Sequence, residues 1–149
     1  MTTWSVGRRR LLKLAAHLEK GNLGHKKFDF SVINTNCYED GLYDSPGPSK
    51  CGTHGCGLGE CPVVFPRQWR FLGTEAVLRN EPLVGASNRT FCSAQIFFAV
   101  NAGESLALFS PESFRPWAPN VYLGDSTTRK QEARNIRQFV KWKDKELSA

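Results

Sequence analysis

A chain of 149 residues, 40% of them hydrophobic and with ten Phe and four Trp, has the size of one ordinary domain and too much apolar side chain for intrinsic disorder. No apolar run approaches the roughly 20 residues that span a bilayer, and the stretch behind Arg8, Arg9 and Arg10 carries Lys13 and His17, which excludes a signal-peptide core. The expectation is one domain over 1–149, off the membrane and in the cytoplasm, where five cysteines stay as thiols or thiolates.

The net charge of +6 is unevenly placed. Residues 1–27 hold seven Lys or Arg against one Glu, residues 129–149 hold seven against three acids, and the chain between is mildly acidic. Both ends are therefore basic, which suits solvated helix faces or, if the ends meet in space, an acidic partner.

The pattern is mainly α, with room for one small hairpin or strand pair. Leu11, Leu14, Ala15 and Leu18 recur at helical spacing and predict a helix over 8–20, stopped by Gly21. His17 falls on its polar side and reads as a solvated surface histidine. Phe28, Phe30, Val32 and Ile33 alternate partly, as in a short strand, and residues 34–50 are rich in Asn, Asp, Gly, Pro and Ser and predict a long loop. A helix is expected near Thr53, and a short mixed element covers Trp69 to Leu78. Residues 89–100 are apolar nearly all round and predict a buried helix, with a strand over Ala94 to Val100 as the alternative, and a second, short helix is predicted over 104–109. The last helix, over 130–145, is capped by Thr127 or Thr128 and buries Ala133, Ile136, Phe139 and Val140. Lys130, Arg134, Arg137, Lys141 and Lys145 step by three or four and make one cationic ridge on its opposite side.

The densest chemical feature is Cys51-Gly-Thr-His-Gly-Cys-Gly-Leu-Gly-Glu-Cys61. As a metal site, Cys51, His54, Cys56 and Cys61 supply four zinc ligands, but structural zinc sites pair cysteines two to four residues apart and place a second pair farther along. Both gaps here hold four residues. As a redox or nucleophilic site the segment lacks Cys-x-x-Cys and an orienting partner. The packing reading leads: Gly52 frees the turn, Thr53 caps a helix, Gly55 and Gly59 share a face that lets another helix come close, Cys56 fills a narrow gap, and Pro62 stops the helix. No cofactor is expected, with zinc as the alternative.

The helix Arg10-Leu-Leu-Lys-Leu-Ala-Ala-His-Leu-Glu19, then Phe28-Asp29-Phe30, then Cys51-Gly52-Thr53-x-x-Cys56-x-x-Gly59 resemble a group of small bacterial and phage proteins that share the Cys-Gly-Thr-x-x-Cys-x-x-Gly segment. The resemblance continues into residues 94–100, 104–111 and 136–140. It implies a compact helical domain and brings no reaction or ligand with it. Gly55, Gly57, Glu60 and Cys61 depart from the small apolar residues usual in that group.

Enzyme signatures are otherwise absent: there is no His-Glu-x-x-His, Gly-x-Ser-x-Gly or Walker loop. The expected function is a non-enzymatic interaction or regulatory protein whose partner is another protein. A phage or mobile-element accessory protein acting on a host factor in the host cytoplasm suits the resemblance. The alternative partner is nucleic acid, held by Arg8, Arg9 and Arg10 together with Lys130, Arg134, Arg137, Lys141 and Lys145.

Overall fold

The computed structural model describes residues 2–33, 44–45, 54–72, 75–80, 89–111 and 113–149, with the backbone alone at 44, 45 and 54. Five helices among these residues make the protein mainly α: α1 (Trp4–Lys20), α2 (Cys61–Val64), α3 (Arg89–Phe98), α4 (Ala102–Phe109) and α5 (Arg129–Ser148). Five short strands accompany them: β1 (Lys27–Phe28), β2 (Asp44–Ser45), β3 (His54–Gly55), β4 (Trp69–Leu72) and β5 (Glu75–Leu78).

The first helix begins one turn earlier than its apolar spacing predicts. The Thr3 hydroxyl accepts from the Val6 amide, satisfying a donor that the helix itself leaves open. It ends where expected, at Gly21, whose φ of +79° turns its N–H back onto the His17 carbonyl. Leu11, Leu14, Ala15 and Leu18 are buried against Ala133, Ile136, Phe139 and Val140 of α5. The two helices run antiparallel. Trp4 Nε1 and Arg8 Nε both donate to Asp144 near the end of α5, while Arg129 at its start donates to the Leu18 and Glu19 carbonyls.

A second layer is aromatic. Phe97 and Phe98 of α3 meet Phe65 and Trp69 at ring separations of 4.8–6.4 Å, mostly edge to face, the arrangement favoured by ring quadrupoles. Gly7 of α1 lies against the Phe98 carbonyl, so no side chain fits between α1 and the end of α3. The helices α4 and α5 both open with a capping box, Asn101 with Glu104 and Thr128 with Gln131. No single helix among the described residues is long and apolar enough to cross a membrane.

The mixed element at 69–78 is an antiparallel hairpin, β4 with β5, to which β2 adds on the β4 side. Thus one two-residue strand lies inside the segment expected to be a loop; residues 34–43 and 46–50 lie outside the described residues. The parallel pair β1–β3 sets Lys27 beside His54 and Phe28 beside Gly55.

The helix expected to start at Thr53 is not formed over residues 54–60. After β3 the chain turns through 57–60, and α2 begins only at Cys61. Pro62 opens that helix rather than stopping one, because its missing N–H is one that a first turn leaves unbonded anyway. Nor do Gly55 and Gly59 share a helical face. A methyl on Gly55 would come within 2.6 Å of the His25 ring, and one on Gly59 would overlap the Ile33 carbonyl oxygen. The close approach expected of these glycines exists, but against the 25–33 segment instead of a helix. Gly52 and Thr53, the other members of the motif, lie outside the described residues.

Candidate functional site

Two places concentrate charge: a buried carboxylate in the glycine-rich turn, and the outer surface shared by α1 and α5.

The turn carries Glu60, which is fully buried. Its Oε1 accepts from His17 Nε2 and the Gly24 amide, each at 2.7 Å. Its Oε2 accepts from the His25 amide at 3.2 Å and from His25 Nδ1. Burial pushes the carboxyl up, but the hydrogen bonds from His17, His25 and Gly24 outweigh it and hold Glu60 at about 2. It is therefore ionised at neutral pH and can only accept, so both imidazole nitrogens facing it carry their protons. His25 is itself buried, with its ring edge-on to Phe71 at 5.8 Å. The carboxylate thus ties α1, the 24–25 loop and the glycine-rich turn together.

His17 is accordingly not a free surface histidine. Sequence reasoning missed Glu60 as a hub, although one signal was present: a lone acid within Gly57-Leu58-Gly59-Glu60-Cys61-Pro62 needs a partner once its neighbours are buried. Gly57, Leu58, Gly59, Cys61 and Pro62 are all buried.

Of the zinc ligands read from the sequence, Cys51 and the His54 side chain lie outside the described residues. Cys56 and Cys61 are free, buried thiols. Burial pushes Cys56 up to about 12 and Cys61 well above the ordinary thiol range, which disfavours the thiolate that a metal or an electrophile needs. The described residues contain no group of three or more His, Cys, Asp or Glu side chains placed to hold a metal ion.

A second buried acid sits nearby. Glu132 of α5 is fully buried, and neither of its carboxyl oxygens has a hydrogen-bond partner. Its Cγ and Oε1 face the open side of Gly57. Burial drives this carboxyl well above the normal range, with Arg115 and the neighbouring Asn135 amide, which lies short of hydrogen-bond geometry, acting the other way.

The cationic ridge is formed as its spacing predicts. Lys130, Arg134, Arg137, Lys141 and Lys145 are all exposed on α5. Lys130, Arg134, Arg137, Gln138 and Lys141, with Glu19 of α1, line an open groove of about 590 Å³. Arg137 forks onto the Glu19 carboxylate through Nε at 3.1–3.2 Å and Nη2 at 2.5 Å. No ion pair is found for Lys130, Arg134, Lys141 or Lys145 among the described residues. The antiparallel packing brings the basic N-terminus alongside. Arg8 pairs with Asp144 at 2.8 Å, while Arg9 and Lys20 are exposed on the outer side of α1.

Arg10 does not join them. Its guanidinium lies 3.9 Å over the Phe97 ring and donates to the Phe97 carbonyl, which places it on the α3 flank. Helical phase explains the split, since Arg10 lies two residues, about 200° of helix, beyond Arg8.

Comparison of the chain with protein-family models, with curated proteins and with solved structures finds no match in any of the three.

Proposed function

We propose that this protein is a non-enzymatic interaction module that holds a polyanionic partner against the outer face of α1 and α5. The observation that carries the reading is charge placement. Among the described residues, Arg8, Arg9, Lys20, Lys130, Arg134, Arg137, Lys141 and Lys145 share that face with the acids Glu19 and Asp144. Those eight cations and two acids give the face a net charge of +6, eight less two. A cationic face of this kind steers an acidic partner and sets its orientation, more than it holds the fold together. Regulation then works by occupancy: the module covers or recruits its partner and needs no turnover. An accessory role of phage or mobile elements, which the sequence resemblance implies, fits that mode of action.

The test is fluorescence anisotropy with labelled polyglutamate and inorganic polyphosphate at low and moderate salt. Binding at about 50 mM salt that weakens at about 200 mM is expected, because exposed charges are screened over roughly 10 Å at 0.1 M. The triple reversal Lys130→Glu, Arg134→Glu, Lys141→Glu should abolish it. Undiminished binding by that variant, or none by the native protein at low salt, would remove the basic face from the account.

A further inference from the structure

We infer that the polyanion fitting this face is the phosphate backbone of duplex DNA, held across the major groove without reading sequence. This rests on the reading of the α1–α5 face as the binding surface, and two observations and the width of a helix pair carry it further.

Among the described residues, the face has charge but no apolar anchor. Protein interfaces concentrate their affinity in a desolvated centre of aromatic or aliphatic side chains. Of the large exposed hydrophobics, Ile96, Leu106, Phe114, Val121, Tyr122 and Leu147, only Leu147 belongs to α1 or α5, and it lies in the last turn. A partner met here is held by charge alone, which is how phosphates are held.

Among the described residues, the face also lacks a stacking platform. The aromatic residues of the two helices are Trp4, Phe139 and Trp142. Trp4 stands edge-on to Phe139, and Trp142 packs on Phe139 and Trp117 with ring separations of 5.5–5.9 Å. Unstacked bases of a single strand would find no ring to lie on, which removes the main sequence-tolerant source of single-strand affinity.

The width is taken from the ordinary dimensions of two packed helices. Two packed helices stand about 8–10 Å apart and each is about 10–12 Å across with its side chains, so the pair is about 20 Å wide. That is too wide to enter a major groove of about 12 Å, yet suited to bridge it. The α5 row, Lys130 to Lys145, runs for about 22 Å at 1.5 Å per residue and meets one phosphate strand. Arg9 and Lys20, exposed on the outer side of α1, meet the other. Duplex RNA, whose major groove is narrow and whose recognition runs through 2′-hydroxyls across the minor groove, fits this face less well.

The experiment titrates the full chain against a 20-bp DNA duplex of two unrelated sequences, the matching single strand, an RNA duplex of equal length, and polyglutamate of equal charge. Expected are equal affinities for the two DNA sequences, several-fold weaker binding to the single strand and to the RNA duplex, and a loss of roughly 10³-fold between 50 and 200 mM salt, as about six phosphate contacts require. Arg134→Ala and Lys141→Ala should each lower the salt slope by about one. Arg67→Ala, exposed but off the face, should change nothing. Glu19→Gln frees the Arg137 fork and should tighten binding about threefold, a gain that structural damage would not produce. Polyglutamate binding without DNA binding would overturn this inference and leave the basic-face reading standing; binding of neither would end both. Single-strand or RNA affinity equal to or above that of duplex DNA would overturn the choice of duplex DNA.

Discussion

Replacing Glu60 by Gln isolates the buried hub, because the shape is kept and only charge and one acceptor are lost. Each carboxylate oxygen faces two donors, His17 Nε2 and the Gly24 amide on one side, His25 Nδ1 and its own amide on the other. Either orientation of the new amide therefore points an NH₂ at a backbone N–H. An imidazole can move its proton to the other nitrogen, but a backbone amide cannot. The variant loses charge assistance and gains a donor facing a donor in a site without water access, and breaking one side of a buried charged arrangement typically costs about 3–5 kcal/mol. The proton equilibrium supplies a second figure. Lowering Glu60 from 4.5 to about 2 corresponds to about 3 kcal/mol, at roughly 1.4 kcal/mol per tenfold change in proton affinity. Both point to a loss of about 3 kcal/mol at pH 7, or a fall in Tm of about 6–12 °C for a domain of this size.

The sign with pH follows from the direction. A carboxyl held below its ordinary range stabilises the fold fully above about pH 4.5, and that contribution fades as pH falls towards 2. Gln does not titrate, so the gap between native protein and variant should narrow over that window. Urea unfolding of both proteins from pH 7 to about pH 2.5 measures it. A loss below about 1 kcal/mol at pH 7, or a gap that stays constant down to pH 2.5, would refute the hub.

Two further perturbations probe the same turn. Gly59→Ala should destabilise by more than about 2 kcal/mol, because its methyl would overlap the Ile33 carbonyl, whereas Gly57→Ala, with its nearest contact at 3.6 Å, should stay within about 1 kcal/mol; equal losses in thermal melts would show that the turn is not pinned against residue 33. Glu132→Met removes a buried carboxyl without partners and should stabilise by about 1–3 kcal/mol at pH 7. Because that carboxyl is held above its ordinary range, the part of its cost that comes from keeping it protonated is absent in acid and grows as pH rises through the carboxylate range, so the gain should shrink near pH 4; urea midpoints that show no gain at pH 7 would contradict it.

How far the chain could be read without coordinates depended on the distance over which each decision is made. The helices α1 and α5 were legible because three- and four-residue spacing of Leu11, Leu14 and Leu18, and of Ala133, Ile136 and Val140, is a local property, as is the stop at Gly21. The α5 ridge was legible for the same reason. Local pattern failed where small residues serve distant partners. Gly55 and Gly59 read as a helical face, but their missing side chains make room for His25 and Ile33, thirty and twenty-six residues back in the chain. Pro62 read as a stop and is a start, since proline suits a first turn as well as an end and only the path of the preceding chain tells which. Glu60 signalled a need for a partner but not which one, because its donors come from positions 17, 24 and 25. Sequence alone determined a mainly helical chain with two basic amphipathic ends, since amphipathicity is written residue by residue. Tertiary packing decided that those ends lie side by side, that Arg10 leaves their common face for the Phe97 ring, and that one buried carboxylate closes the turn, because each depends on which surfaces meet in space.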